Sequence, residues 1–501
     1  MNIYSLKYSA GKIIHLIHEK RESFWSRERE RRALELFRLA ASRVPAYADF
    51  LKKHKVKPEK VTTFKDFVQV PPISKQNYLR EYPLEKLVWD QSLEKAIVFT
   101  ATSGSTGEPF YFPRENELDW ENSVLNELFV RNSSYRSEGP ILVIIGFGMG
   151  VWIGGLINYK GFEMAAQRGY PLSIITPGIN KIEIFNALRK LAPHYRETIL
   201  AGYPPFIKDI LDEAPNHGVN LKALHLRLLT AAEAYTEKFR DYLAQKAGIK
   251  NPHLDTLSIY GTADIGAMAF ETPLAILIRR LVMRKKRLFE EMFSGIQKTP
   301  TLAQYNPLFA VFEAVGGELF VTGNNTIPLV RYAVGDHGGI FTFGEIKRLL
   351  KKHGIRLEEE ARKAGIQNHL YELPFVYIYE RKDLSTTLYG LQVYPEIIRE
   401  ALIEKPLNKF LTGKFTMITR YDANQNQYLE INLELRKDKR ATPYVKSRAS
   451  KKIVANLRLK NSEYRELFRY IKDRALPKLL FWQYEHPLHF KVGIKQKWVK
   501  K

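Results

Sequence analysis

The most specific segment of the sequence reads Thr102-Ser103-Gly104-Ser105-Thr106-Gly107-Glu108-Pro109. It follows residues 96–100, a short apolar run rich in β-branched side chains, which favours a strand. Hydroxyl-bearing residues and glycines alternate here, so the backbone can close around an anion while side chains donate hydrogen bonds. The GxxxxGK(S/T) spacing of a Walker loop is absent. We predict a phosphate-binding loop of another type, with an ordinary Ser/Gly surface turn as the alternative.

Strand-like runs and helical patterns alternate after this segment, and this alternation predicts an α/β sheet layout. The predicted strands are 198–200, 226–229, 257–260 and 318–322, and the predicted helices between them are 181–191, 205–213 and 236–247. Residues 19–53 also have helical spacing. Residues 139–159 carry no charge and have about the length of a membrane span. The β-branched residues of 141–145 favour a strand, and the six glycines would break a continuous helix, so we predict a strand, a glycine-rich loop and a helix instead.

The character of the chain changes after residue 379. Residues 414–421 and 427–436 alternate apolar and polar side chains around a turn at 422–426, which predicts a hairpin. Residues 443–472 read as one long basic helix. We therefore expect two domains with a boundary near Arg381: a large domain over 1–380 and a small α+β domain over 381–501.

Composition narrows the classes of function. The 501 residues contain 45% hydrophobic residues, which excludes a disordered or collagen-like chain. Cysteine is absent, which excludes disulfides and thiolate metal sites and fits a cytoplasmic protein. The net charge is +24. It is spread along the chain without arginine blocks interleaved with aromatics, so we expect no specific nucleic-acid partner.

Further motifs follow the phosphate loop in a fixed order. They are a glycine-rich segment at 147–161, Gly202-Tyr203-Pro204-Pro205, Ala231-Ala232-Glu233, Tyr260-Gly261-Thr262-Ala263-Asp264, the segments 317–322 and 328–336, Glu380-Arg381-Lys382-Asp383, and 389–395. In this order the chain resembles the adenylate-forming (AMP-binding) superfamily and, within it, the phenylacetate–CoA ligase-like or CapK-like branch, over residues 45–501. The resemblance implies a large N-terminal domain with sheets flanked by helices and a small, mobile C-terminal domain.

The resemblance also implies an ATP site. The nucleotide-binding residues would be Thr102, Ser103, Gly104, Ser105, Thr106, Gly107, Ala231, Ala232, Glu233, Tyr260, Gly261, Asp336 and Arg381. Thr262 would lie near the α-phosphate, and Thr106 and Asp264 would hold Mg²⁺. Asp264 replaces the family's glutamate and is one methylene shorter, and Glu108 stands where a lysine is common. A helix N-cap is the alternative role of Asp264.

The acyl pocket would lie along the glycine-rich segment. Its residues would be Phe147, Met149, Trp152, Gly154, Gly155 and Tyr203. Their size and apolar character predict an apolar or aromatic substrate tail, with ordinary core packing as the alternative. The family's catalytic lysine near the C-terminus would be Lys495, ahead of Lys497 and Lys491. Asp383 would be the hinge of the small domain.

Two segments depart from the family pattern. Residues 274–293 read as a basic amphipathic helix inside an unusual stretch, 267–301, and residues 343–364 lengthen the connection before Arg381. The basic helix could contact an anionic membrane or an acidic carrier protein, or pack as a surface helix.

The predicted activity is an ATP-dependent ligase that forms an acyl-adenylate from a small carboxylic acid and passes the acyl group to a thiol, with CoA as the expected co-substrate. Two alternatives stay open. One keeps adenylation but uses a carrier protein, an amine or a sugar as acceptor, in capsule or polysaccharide biosynthesis. The other is a polyanion- or membrane-binding protein that has lost catalysis, which the charge, Glu108 and Asp264 favour.

Overall fold

The structure, a computed structural model, describes residues 8–101, 110–135, 138–294, 296, 299–381, 386–403, 405–487 and 489–490, and only the backbone at 380, 381, 396 and 403. Its α-helices are α1 Ala10–Glu19, α2 Glu22–Arg43, α3 Pro45–Lys53, α4 Phe64–Phe67, α5 Leu84–Leu87, α6 Asn116–Arg131, α7 Ile153–Gln167, α8 Lys181–Lys190, α9 Pro204–Glu213, α10 Glu237–Ala247, α11 Pro252–Asp255, α12 Pro273–Met283, α13 Lys286–Met292, α14 Phe343–Lys352, α15 Leu357–Lys363, α16 Pro395–Ile403, α17 Pro443–Lys460 and α18 Ser462–Ile471. Its strands are β1 Val98–Ala101, β2 Tyr111–Arg114, β3 Ile141–Gly146, β4 Leu172–Ile175, β5 Glu197–Gly202, β6 Leu226–Ala231, β7 Thr256–Thr262, β8 Gly266–Phe270, β9 Thr301–Gln304, β10 Ala310–Val315, β11 Glu318–Gly323, β12 Leu329–Phe341, β13 Phe375–Arg381, β14 Thr386–Leu388, β15 Leu391–Val393, β16 Leu411–Tyr421, β17 Gln427–Leu435 and β18 Lys478–Trp482.

One mixed sheet organises the large part of the chain. Its strand order is β10-β11-β12-β13-β9-β8-β7-β6-β5-β3-β4. The run from β4 through β3, β5 and β6 to β7 is parallel, and the remaining pairs are antiparallel. All six residues of β3 and all six of β5 are buried, as expected for central parallel strands covered by helices on both faces. The predicted α/β class and the strands predicted in this region are confirmed.

The glycine-rich segment folds as the sequence predicts. It forms the buried strand β3, a loop and the helix α7, so the uncharged stretch 139–159 is no single apolar helix. Within the described ranges, no helix combines the length and apolar character that crossing a membrane requires.

Two predicted long helices are each broken in the structure. The segment 19–53 divides into α2 and α3 because Val44 is extended and Pro45 begins a new helix. The segment 443–472 divides into α17 and α18 at Asn461. The Asn461 side chain accepts a hydrogen bond from the Tyr464 backbone N–H and donates one to the Gln392 carbonyl, so it caps the second helix.

The basic helix predicted at 274–293 is also two helices, α12 and α13, separated at the extended Lys285. Its apolar face is buried in the protein, and Arg279 is only 2% exposed. The Arg279 guanidinium lies 3.0 Å from Glu271 and 3.1 Å from Glu237. The apolar stripe that suggested membrane contact therefore serves core packing, although residues 284–287 remain exposed.

The two segments that depart from the family pattern pack on each other. Apolar side chains of α12 and α13 share one core with those of α14 and α15. Ion pairs close the layer at its surface, where Glu291 contacts Lys352 at 2.5 Å and His353 at 2.8 Å. We call α12 to α15 the helical layer.

The C-terminal unit, residues 386–490, is built around a three-stranded sheet of order β16-β17-β18. The predicted hairpin is confirmed, since β16 and β17 pair antiparallel up to Tyr421 opposite Gln427. Helices α17 and α18 then cross over to β18, which pairs parallel to β17. The unit shares one hydrophobic core cluster with helices α8, α9 and α10 of the large part.

Candidate active site

A cleft of about 230 Å³ opens where the parallel strands end. Strands β3, β5 and β6 end at Gly146, Gly202 and Ala231, so the residues that follow them meet at one edge of the sheet. From the large part, the cleft is lined by Lys75, Leu79, Arg80, Ala101, Phe110, Asn122, Phe147, Trp152, Ile153, Gly154, Ile157, Asn158, Tyr203, Ala231, Ala232, Ile259, Gly261, Thr262, Ala263, Asp264, Gly266 and Ala267. From the C-terminal unit, it is lined by Gly390, Gln392, Tyr394 and Glu463.

Asp264 is a buried carboxylate on the turn after β7. Its Oδ2 accepts a hydrogen bond of 2.7 Å from the Tyr332 hydroxyl and lies 3.1 Å from the Lys75 ammonium. Its Oδ1 is buried and has no hydrogen-bond partner among the residues that the structure describes. Neighbouring Thr262 also lines the cleft, where its hydroxyl accepts from the Ile265 backbone N–H at 3.3 Å. The Asp264 carboxylate is thus paired with the Lys75 ammonium through Oδ2, and its Oδ1 remains available as an acceptor.

The oxygen atoms near Asp264 fit a magnesium ion whose other ligands come chiefly from a bound nucleotide. Mg²⁺ in nucleotide sites takes one or two carboxylates and fills its other positions with phosphates and water. The unpartnered Oδ1 of Asp264 supplies one such oxygen. Within the described ranges, no three His, Asp or Glu side chains cluster so that they could hold a metal ion by themselves.

Asp336 is buried on β12 and is not one of the residues that line the cleft. The Tyr260 hydroxyl donates to its Oδ2 at 2.6 Å, and in the β12–β13 ladder Asp336 is paired with Arg381. Sheet pairing and this hydrogen bond therefore bring together three residues that the resemblance predicts at the nucleotide, with only the backbone of Arg381 described.

Glu233 contacts the C-terminal unit. Its carboxylate accepts from the Gly390 backbone N–H and, at 2.6 Å, from the Gln427 amide. Burial raises the pKa of Glu233 to about 7, against the lowering effect of these two donors. Ala232 before it adopts a left-handed conformation with φ of 74°. The segment predicted along the adenine thus also forms part of the contact between the two parts of the chain.

The predicted acyl-pocket residues fall into two groups. Phe147, Trp152, Gly154 and Tyr203 line the cleft, and the Phe147 and Tyr203 rings meet edge to face at 5.1 Å. Gly155 lies behind the wall, where a Cβ would be 2.3 Å from the Gly148 carbonyl oxygen and 2.6 Å from the sulfur of its neighbour, Met149. Of the described residues predicted to bind ligands, the structure does not bring Met149, Gly155, Glu233, Tyr260 or Asp336 to the cleft wall.

The C-terminal unit closes one side of the cleft. Gly390, with φ of 83°, approaches Tyr203 so closely that a Cβ would lie 2.2 Å from the ring. Glu463, at the start of α18, faces the same space, and burial raises its pKa to about 7. Only glycine allows the two parts to come this close at this point.

Several cleft residues were missed from the sequence. Lys75 follows Ser74, whose side chain caps a short helical turn, and this capping pattern was the available signal. Asn122 and Asn158 carry no motif signal, because each is one polar residue inside a helix and no spacing pattern distinguishes it. Glu463 comes from a helix 68 residues beyond the last motif, 389–395, and no local pattern connects it to the motifs.

Some predicted residues lie outside the described ranges. They are the phosphate loop from Thr102 to Gly107, the hinge residue Asp383 and the lysines Lys491, Lys495 and Lys497. Ala101, the last described residue before the loop, lines the cleft.

No protein-family profile matches the sequence, and no curated protein sequence matches it. Among solved structures, 2-hydroxyisobutyryl-CoA ligase in complex with 2-HIB-AMP and CoA in the thioesterification state is similar, with a TM-score of 0.62, 14% identity and coverage of 95% of this chain and 90% of that chain. An open conformation of that ligase with the same ligands gives a TM-score of 0.51, 13% identity and coverage of 94% and 90%. Its postadenylation state in complex with R3-HIB-AMP gives 0.52, 13% identity and coverage of 94% and 87%. At such identities the likeness establishes the fold, and the chain has the fold of adenylate-forming enzymes.

Proposed function

We propose that the protein is an ATP-dependent ligase of the phenylacetate–CoA ligase-like branch, which activates a small carboxylic acid as an acyl-adenylate and transfers the acyl group to CoA. The proposal rests on one observation, that residues from several separate motifs line the same cleft. Phe147, Tyr203, Ala231 and Asp264, which are far apart in sequence, all line one cleft. The cleft also contains a cation, Lys75, where an anionic substrate needs one.

In the first step, a carboxylate oxygen of the acid attacks the α-phosphorus of ATP. A new oxygen–phosphorus bond forms, the bond to the bridging oxygen breaks, and pyrophosphate leaves with its electron pair. Both reactants are anionic, so the site must offset their repulsion. Lys75 supplies a positive charge beside the buried Asp264, and its own side chain is 36% exposed.

The remaining residues would bind and orient the nucleotide. Asp336 would accept hydrogen bonds from the ribose hydroxyls in an orientation that Tyr260 fixes. When bound, Mg²⁺ would be held by Asp264 and Thr106 and would neutralise charge on the phosphates. Thr102 to Gly107 would surround the β- and γ-phosphates, and Arg381 would reach the ribose or the α-phosphate.

In the second step, the CoA thiolate attacks the acyl carbonyl carbon, a thioester bond forms and AMP leaves. The C-terminal unit already contributes Gly390, Tyr394 and Glu463 to the cleft, so its position affects access to the acyl group. We propose that it turns about Asp383 between the two steps and that Lys495 enters the site during adenylation.

The test is ATP–pyrophosphate exchange with a panel of aryl, fatty and hydroxy acids, followed by thioester formation with CoA. Asp336→Asn keeps the size of the side chain but removes the acceptor charge, and Lys495→Ala removes the proposed cation. Asp438→Asn is the matched control, because Asp438 is exposed and its left-handed backbone suits asparagine.

We expect exchange with one class of acid, a loss of at least about 100-fold in the first two variants, and wild-type exchange in the control. A wild-type protein that shows no exchange with any acid would contradict the proposal. Exchange without thioester formation would contradict CoA as the acceptor and favour a carrier protein, an amine or a sugar.

A further inference from the structure

The C-terminal unit brings a carboxylate, that of Glu463, to the cleft. Glu463 lies in the first turn of α18 and is partly exposed. It lines the cleft together with three other residues of the same unit, Gly390, Gln392 and Tyr394. The other carboxylate of the described cleft wall, Asp264, comes from the large part. Each part of the chain therefore contributes one carboxylate to the cleft.

The two carboxylates differ in their partners. Asp264 is ion-paired with Lys75 and accepts a hydrogen bond from the Tyr332 hydroxyl. Glu463 has no ion pair and no side-chain hydrogen bond with any residue that the structure describes. Burial raises the pKa of Glu463 to about 7, and no described cation opposes that rise. Glu463 can therefore gain or release a proton near neutral pH.

The Tyr203 hydroxyl indicates where the Glu463 carboxylate lies. Burial raises the pKa of Tyr203, and the nearby charge of Glu463 adds to that rise. Tyr203 lines the cleft, and its ring meets that of Phe147 edge to face at 5.1 Å. The Glu463 carboxylate is therefore within electrostatic reach of the residues predicted to hold the acyl group.

Contacts within the C-terminal unit fix the start of α18. The Asn461 side chain accepts from the Tyr464 backbone N–H at 2.9 Å and donates to the Gln392 carbonyl at 2.9 Å. Tyr464 is fully buried, and its hydroxyl donates to the Ala475 carbonyl at 2.7 Å. Glu463 lies between these two anchored residues. Its backbone is thus fixed to the C-terminal unit and moves with that unit.

We infer that Glu463 is the general base of the acyl-transfer step, the residue that removes the proton from the acceptor thiol. The inference rests on the proposed function, because it takes the cleft to be the place where the acyl-adenylate meets CoA. The Glu463 carboxylate accepts the thiol proton while the sulfur lone pair forms the bond to the acyl carbon. The bond from that carbon to the phosphate oxygen breaks, and AMP leaves with the electron pair. The proton then passes from Glu463 to water.

The chemistry of transfer calls for such a residue. A thiol has a pKa of about 8.5 and is mostly protonated at neutral pH, whereas the thiolate is the nucleophile. A base works best when its pKa lies near the working pH, as that of Glu463 does. While protonated, Glu463 also does not repel the two anionic reactants of the first step.

Few other groups of the cleft can impose their own pH dependence on Glu463. The remaining titratable or charged side chains of the described cleft wall are Lys75, Arg80, Tyr203, Asp264 and Tyr394. Lys75 and Asp264 are paired with each other. Tyr203 is the one of these whose pKa responds to the charge of Glu463, and burial keeps its hydroxyl protonated near neutral pH.

The experiment measures the two steps separately in the full chain. ATP–pyrophosphate exchange reports adenylation and identifies an acid that the protein accepts. The protein is then loaded with ATP and that acid in the presence of pyrophosphatase, CoA is added, and single-turnover thioester formation is followed from about pH 5.5 to 9. Glu463→Gln removes the base at the same size. Glu466→Gln is the matched control, because Glu466 lies one turn later on α18 and does not line the cleft.

We expect the wild-type transfer rate to rise about tenfold per pH unit below about pH 7 and to level off above it. In Glu463→Gln, transfer at pH 7 should fall at least about 100-fold, the inflection near pH 7 should disappear, and exchange should fall far less than transfer. Glu466→Gln should keep the wild-type transfer rate and pH profile.

A wild-type transfer rate or an unchanged pH profile in Glu463→Gln would overturn the inference and leave the proposed function intact. Equal losses of exchange and transfer in that variant would also overturn it, because they would indicate a structural role. Absence of exchange in the wild type would contradict the proposed function itself, and the inference with it.

Discussion

Arg474 in the C-terminal unit is ion-paired with Asp209 on helix α9 of the large part, with Nη1 of Arg474 2.7 Å from Oδ1 of Asp209. Asp209 is 1% exposed and also accepts from the Tyr389 hydroxyl at 3.3 Å. Burial raises the pKa of Asp209, and its cationic neighbours Lys181 and Arg474 oppose that rise. The contact between the two parts of the chain therefore depends on a buried carboxylate with partners from both sides.

Arg474→Ala should weaken this contact. It removes a charged partner and leaves Asp209 buried with a more distant cation, Lys181 at 3.6 Å, so we expect a loss of about 1–3 kcal/mol of unfolding free energy. Urea denaturation measures the loss. Arg469→Ala, at an exposed position on α18, should change stability by no more than about 0.5 kcal/mol. Equal denaturation midpoints in the two variants would show that the Arg474–Asp209 pair contributes nothing.

Gly390→Ala tests the close approach of the C-terminal unit to Tyr203. The new Cβ would lie 2.2 Å from the tyrosine ring and would also occupy a left-handed conformation. Gly354→Ala is the matched control, because it has φ of 73° and nothing within 4 Å. We expect the control to lose about 1 kcal/mol. The Gly390 variant should lose more and should become more sensitive to limited proteolysis, and a result identical to the control would contradict the close contact.

Glu233 should make stability depend on pH near neutrality. Its pKa is about 7 in the folded protein and 4.5 in the absence of structure, so the folded state keeps a proton that the unfolded state releases. The contribution of Glu233 is therefore fully present below about pH 4.5 and is lost as pH rises through about 7. The loss is at most about 3 kcal/mol.

The measurement for Glu233 is the unfolding free energy of wild type and Glu233→Gln between pH 4 and 8. The glutamine cannot titrate, so the difference between the two proteins should fall across that window and level off above it. A difference that stays constant with pH would contradict a raised pKa at Glu233.

Lys75→Met should impair adenylation more than folding. The methionine keeps the length of the side chain but removes the charge beside Asp264, so we expect kcat/KM for the acid to fall about 10- to 100-fold. Lys65→Met is the control, because Lys65 is exposed on the nearby helix α4. Thermal unfolding shows whether either variant has lost structure. Equal activity of the two variants would remove Lys75 from the proposed mechanism.

Local sequence patterns correctly predicted those helices and strands that depend on interactions between residues close together in the chain. The strand β3 and the helix α7 follow from β-branched residues, glycines and a return to helical spacing. The β16–β17 hairpin follows from alternation around Asp422, whose Oδ1 accepts from the backbone of Asn424 and Asn426. In each case the deciding interactions lie within a few residues of each other.

Predictions failed where distant contacts decide the structure. Asn461 looks compatible with a continuous helix until its side chain bonds to Gln392, 69 residues away. The arginines of α12 look like a surface stripe until Arg279 meets Glu237 and Glu271 inside the protein. The candidate site also divides into residues that local motifs predict and residues that they do not. Tyr203 belongs to a motif and was predicted at the substrate site. Asn122, Asn158 and Lys75 belong to no motif and reach the cleft only through the packing of separate elements.

The helical layer has a consequence for how this protein can vary. Its two halves come from separate segments of the chain, and each covers apolar side chains of the other, among them Leu281 on α12 and Leu350 on α14. Trimming either half alone would expose that apolar surface to water and invite aggregation. The two segments therefore depend on each other for burial, and a shortened protein that keeps this surface covered would have to lose both together.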